Sequence, residues 1–159
     1  MAMLSVSHED YLWFVDEALD GMIAIVTELG DVDVNVRPDL PGANSAYVIL
    51  THCLGVMEFW AGPVVAGRPT DRDRDAEFVA RGTVDDLHLR VIAARQQLEV
   101  DLVSLDTEAP PRASFGPDDA AKPLGRSQGG ALIHILEELY QHTGQMELSR
   151  DLLLSDRDR

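Results

Sequence analysis

Between Asn44 and Ala66 the chain carries a helical run that is apolar on almost every side, and this segment limits the folds open to it. Asn44 or Ser45 can cap the start, and Pro63 bends or ends the run near its close. A helix with one apolar stripe needs one neighbour, but a helix with no polar face has to be surrounded. The segment Tyr47-Val-Ile-Leu-Thr-His-Cys-Leu-Gly-Val-Met-Glu-Phe-Trp60 is therefore predicted as the most buried helix, with His52 in its middle.

Three further segments supply the surround, and none reads as a strand. The first is predicted from about residue 7 to 29: Ser7 caps it, Glu9 and Asp10 lie in its first turn, and Gly30 stops it. Tyr11, Phe14, Val15, Ala18, Met22, Ile25, Val26 and Leu29 follow helical spacing. A second is predicted over about 83–105, with Thr83 as cap and Leu87, Val91, Ala94, Leu98 and Leu102 as its apolar stripe. The last covers about 128–153, and residues 155–159 read as a frayed tail. With the helix over about 45–66, this predicts an all-α chain, one domain over residues 1–159. The connections 31–43, 67–82 and 106–126 are long and polar or proline-bearing, which permits crossovers.

Charge and composition narrow the function classes. The net charge is −15, and Lys122 is the only lysine. Such a surface repels phosphate backbones and anionic membranes, so neither nucleic acid nor a membrane is the expected partner. No apolar run is read as reaching the eighteen or so residues that span a bilayer. One cysteine, Cys53, permits no internal disulfide, and no basic leader opens the chain; both fit a cytoplasmic protein.

The chemistry-bearing residues lie on two of the helices. Glu138 and His142 are four apart, hence one turn apart on one helical face, with Cβ atoms about 5–6 Å from each other. His134 extends the same stripe, which borders Leu132, Leu136, Leu139 and Met146. Taken alone, these are equally the exposed flank of an acidic helix. His52 is different, because an imidazole inside an apolar helix has to be satisfied by a hydrogen bond or by a metal. A meeting of His52, Glu138 and His142 would make a two-histidine, one-carboxylate metal site, with His134 a secondary candidate. Cys53 reads as a small buried hydrophobe facing away from His52, while Glu58 and Trp60 are placed at a pocket mouth. Asp85 and His88 read as a solvated face, and His8 as exposed. No His-Glu-x-x-His, paired Glu-x-x-His or phosphate loop occurs.

The pairing of Leu50-Thr-His52-Cys-Leu-Gly-Val-Met-Glu-Phe-Trp60 with Leu132-Ile-His-Ile-Leu-Glu-Glu-Leu-Tyr-Gln-His-Thr-Gly-Gln-Met-Glu147 resembles the DinB-like superfamily. Within it, the branch that includes the N-terminal domain of mycothiol-dependent maleylpyruvate isomerase and the mini-circle-type proteins is the most similar. The resemblance implies a four-helix bundle, up-down-down-up, with long crossover loops. It implies a divalent metal, zinc or nickel most often, on His52, Glu138 and His142, with no catalytic residue beyond those ligands. Glutamate at 138, where many members have histidine, agrees with the isomerase branch. The chain ends at Arg159 without that enzyme's further C-terminal domain, so isomerase activity is not expected. Related single-domain members point to a thiol S-transferase that joins mycothiol, or a similar low-molecular-weight thiol, to a small electrophile. A non-catalytic metal- or ligand-binding bundle and a metal-dependent hydrolase are the alternatives. A homodimer is the expected assembly, given the apolar surface left by so hydrophobic a second helix.

Overall fold

Serine and threonine side chains begin three of the long helices, as their sequence positions require. The computed structural model describes residues 5–157. Helix α1 spans His8–Asp33, and the Ser7 hydroxyl accepts from the Asp10 amide. Gly30 breaks its geometry at φ 69°, a left-handed value that favours glycine, and a final turn carries on to Asp33. Helix α2 spans Ala46–Phe59 behind Ser45, whose hydroxyl accepts from Val48. A short α3 (Arg74–Glu77) is capped by Asp73, and α4 (Val84–Asp101) by Thr83. After a short α5 (Pro117–Ala120), α6 runs over Gln128–Arg157. Ser155–Arg157 are thus helical rather than part of a frayed tail, while residues 158–159 lie outside the described residues.

Among the described residues there is no strand, and the four long helices pack in a ring in which α1 and α2 each touch both α4 and α6. Leu19, Met22, Leu50, Leu87, Ile135, Leu139 and Met146 are fully enclosed where they meet. Each such side chain contributes about 1.5–3 kcal/mol through burial. The predicted stripe of α1 holds except at Phe14, which is half exposed between Trp13 and Tyr140. Its ring sits on the flank of the stripe, where a helical residue can reach a neighbouring edge instead of the core.

Two departures concern α2 and its exit. Eleven of its residues are buried, so the helix without a polar face is enclosed as required. Beyond Phe59 the chain widens into a π-helical turn, Trp60–Ala66, that carries Pro63 and closes on Gly67 at φ 72°. A proline has no N–H for the α-helical ladder, and the wider turn accommodates it without ending the element. Counter to the sequence expectation, Ala46–Ala66 is long and apolar enough to cross a membrane by length and composition. Most of it is buried within the protein, the environment of a core helix.

The segment read as a polar connection, residues 67–82, is the second departure. It folds back over α2 and is pinned at both ends. Arg68 donates to both carboxylate oxygens of buried Asp101 on α4 (2.9 and 2.8 Å). Glu77, at the end of α3, is buried against α2.

Candidate metal centre

His52 enters from the middle of α2, Glu138 and His142 from successive turns of α6. The Oε2 atom of Glu138 lies 3.4 Å from Nε2 of His52 and 3.3 Å from Nε2 of His142. The three ligand atoms all lie within 4.8 Å of one another. Atoms so spaced lie within about 2.8 Å of a common point, close to the 2.0–2.2 Å at which nitrogen and oxygen ligands surround zinc. The two histidine rings meet edge to face, 5.3 Å between centroids.

Each histidine is oriented by a bond from its other nitrogen. Nδ1 of His52 donates to Oε2 of Glu77 at 2.8 Å, and Arg72 grips the same carboxylate through Nε (2.6 Å) and Nη2 (3.0 Å). Nδ1 of His142 donates to Oε1 of Gln145 at 2.8 Å. With the protons on Nδ1, both Nε2 atoms are lone-pair acceptors aimed at a carboxylate, itself an acceptor. Three converging acceptors with no donor between them call for a cation, either a metal or a proton. Hydrogen-bonded outer nitrogens are what metal-binding histidines regularly show.

The electrostatics agree. Where a proton fills the gap, the hydrogen bond it makes from His142, then that from His52, holds the Glu138 carboxyl well below the usual carboxylate range. The same contact raises the pKa of His142, against the opposing pull of burial. Cys53, fully buried beside His52 in sequence, has its thiol pushed far up by desolvation, with Glu138 and Glu77 adding to it. It is the chain's only cysteine and holds no thiolate.

His134 stands 3.8 Å from the other oxygen of Glu138, outside the three-atom group. Its Nδ1 donates to Glu137 (3.0 Å) and its ring packs edge-on against Trp60 at 4.9 Å. A cavity of about 490 Å³ opens beside these residues, with His52, Trp60, His134 and Glu138 in its wall. Trp60 is stacked on Phe115, 5.2 Å between centroids. Trp60 thus lines the mouth as anticipated, but Glu58 does not. It faces a second cavity of about 500 Å³ on the α4 side of α2, near Arg68. His88 is half-buried, its Nε2 3.0 Å from the Thr27 hydroxyl, and His8 is exposed.

Sequence reasoning missed Glu77, Arg72 and Gln145. Gln145 was within reach, since it follows His142 by three residues on the same helix face. Glu77 carried no comparable signal, because nothing in a polar run of alternating Asp and Arg distinguishes the one acid that is buried. Gly55 was missed as well. A Cβ there would fall 2.1 Å from Oε1 of Glu77, so only glycine lets that carboxylate lie against α2 one turn from His52.

The sequence model of the mycothiol-S-transferase family matches residues 11–154, and the chain belongs to that DinB-like family. No curated protein matches it.

Proposed function

We propose that this member of the mycothiol-S-transferase family holds a divalent metal on His52, Glu138 and His142 and joins a low-molecular-weight thiol, mycothiol or a close analogue, to a small electrophile. The observation that carries the proposal is the convergence of two Nε2 lone pairs and one depressed carboxylate on a single point beside a cavity. A bound divalent cation, zinc or nickel, would supply the charge that deprotonates a coordinated thiol. The remaining work falls to the chain. Arg72 and Glu77 fix the His52 ring and its tautomer, and Gln145 does so for His142. Trp60, backed by Phe115, and Phe59 form an aromatic wall against which an organic electrophile can lie. Because Cys53 is sealed off as a thiol, the nucleophile has to arrive as a co-substrate. In this reading the chain is one domain, acts in the cytoplasm and forms a homodimer, which sedimentation of the purified protein would show as twice the 17.5 kDa chain mass.

The test is conjugation of mycothiol to monochlorobimane by zinc- or nickel-loaded protein. Turnover well above the uncatalysed rate, lost in His52→Ala, is expected. Tight metal binding without conjugation would favour a non-catalytic binding bundle, and thiol-independent ester cleavage a hydrolase. Conjugation unchanged in His52→Ala would remove the metal from the mechanism.

The site also sets a pH dependence. In metal-free protein the raised pKa of His142 adds stability that is complete below its unfolded value and fades as pH climbs through the folded one. The lowered pKa of Glu138 adds stability present above its unfolded value and lost as pH falls through the folded one. The pair is therefore intact from well under the ordinary carboxylate range to above the ordinary histidine value. Metal binding has to displace the proton shared by this pair. The rise in Tm on adding zinc should thus grow between about pH 6 and about pH 8. Melting curves with and without zinc check this, and a rise that shrank over that interval would contradict it.

A further inference from the structure

The run Asp71-Arg-Asp-Arg74, of which the thiol-transfer reading uses only Arg72, lies along both cavities. Asp71 and Asp73 line the cavity on the α4 side of α2, together with Glu58 and Asp101. Arg74 lines the cavity beside His52, Arg72 lines both, and Lys122 joins Arg74 from the connection before α6. The α4-side cavity as a whole carries five carboxylates against three arginines. The chain as a whole carries 28 acidic and 13 basic residues. The wall beside His52 reverses that balance, with three basic side chains and one carboxylate, Glu138, which is turned to the histidines.

Arg72 is spent on Glu77, which it grips with two hydrogen bonds. Arg74 is not spent in this way: it makes no ion pair among the described residues, and its guanidinium lies over Phe78, 5.3 Å from the ring centroid. Phe78 in turn packs on the His52 imidazole at 5.2 Å. An exposed cation is thereby held two rings away from the candidate metal point, with the Trp60 indole lining the same cavity.

We propose that this cavity selects flat organic electrophiles that carry a negative charge, a carboxylate or sulfonate, with Arg74 as the residue that recognises the anion and Lys122 assisting. The proposal rests on the thiol-transfer reading for the word electrophile, while the anion preference rests on the wall itself. The neutral Trp60 and Phe59 faces accept the aromatic part, and the cations at the rim accept the charge.

A matched pair of aryl chlorides tests it: 4-chloro-3-nitrobenzoate and its methyl ester, titrated calorimetrically into zinc-loaded full-length protein without thiol. The acid is expected to bind about tenfold more tightly than the ester at low ionic strength, with the preference shrinking as salt screens the rim. The preference should be lost in the Arg74→Gln/Lys122→Gln double variant and inverted in Arg74→Glu. Both side chains are exposed, and far-UV circular dichroism confirms which variants are folded before they are compared. Equal binding of acid and ester, no binding of the acid below about 5 mM, or a preference that survives the double variant would each overturn the proposal. Survival would assign the anion to the zinc instead. Adding thiol then separates the two readings. The thiol sulfur bonds to the ring carbon, chloride leaves with the bonding pair, and the thiol proton passes to solvent. If no thiol conjugates while the acid preference is present and abolished in the double variant, thiol transfer fails and the anion site stands. If monochlorobimane conjugates but the acid is not preferred, the reverse holds.

Discussion

Glu138→Gln should abolish stoichiometric metal binding while leaving the helices folded. The carboxylate is the only anion among the three converging ligands, and its Oε2 atom is the one from which both histidine nitrogens are measured at 3.3–3.4 Å. Apparent binding energies of about 10–16 kcal/mol for four-ligand zinc sites suggest roughly 2.5–4 kcal/mol per ligand. At about 1.4 kcal/mol per decade that is a loss of roughly 60- to 700-fold in affinity. Glutamine keeps the shape of the side chain and removes the charge, so packing around Leu139 and Ile135 is preserved. Elemental analysis after zinc loading and dialysis, read beside far-UV circular dichroism, gives the answer. Full zinc occupancy in a folded Glu138→Gln protein would show that the three atoms do not form the site. His134→Ala is the informative contrast, since His134 approaches the other carboxylate oxygen at 3.8 Å. It should weaken zinc by less than about tenfold, the lower edge of what a partner behind the ligands contributes.

The second large effect is expected from adding a single methyl group. In Gly55→Ala the new Cβ would fall 2.1 Å from Oε1 and 2.8 Å from Cδ of Glu77, and 3.1 Å from Nε of Arg72. The carboxylate cannot simply swing aside, because His52 and Arg72 hold it from two directions. Its displacement would release the His52 ring from the orientation that aims Nε2 at Glu138. Losing such a partner typically costs a metal site about 10- to 100-fold in affinity. Moving a buried carboxylate off its partners also destabilises the fold. The alanine returns about 1 kcal/mol of helix propensity, and the net loss should still be roughly 1–3 kcal/mol. Zinc titration and thermal melts read the two effects separately. Gly144→Ala on α6 serves as the comparison, since nothing lies within 4 Å of its added Cβ. It should be neutral or stabilising by up to about 1 kcal/mol. Wild-type metal affinity in Gly55→Ala would mean that Glu77 does not orient His52.

Both experiments probe the boundary between what was legible in the residues and what was not. The helix starts at Ser7 and Thr83, and the one at Asn44 or Ser45, were readable because a cap is a contact between residues three apart; the structure chose Ser45. The enclosure of α2 was readable because a helix without a polar face has no other stable place. Phe14 shows where periodicity stops helping: it shares the helical spacing of buried Val15 and Ala18, yet lies half exposed, and the difference is set by which neighbour stands opposite. Residues 67–82 defeated the reading more thoroughly. A segment of alternating charge looks solvated, and its burial of Glu77 depends on Gly55, twenty-two positions earlier, having no side chain.

By itself, then, the sequence determined the helical character of the chain, the burial of α2 and the sharing of one α6 face by His134, Glu138 and His142. These follow from periodicity and capping, which are interactions over three or four residues and carry their geometry with them. Only the tertiary structure decided that His52 meets Glu138 and His142 across two helices, that Arg72 and Glu77 stand behind His52, and that Arg74 lines the cavity beside it. Those placements depend on how far apart packed helices stand and on where a loop can lie against them. Such distances are set by the volumes of side chains from every element at once, and no local spacing encodes them.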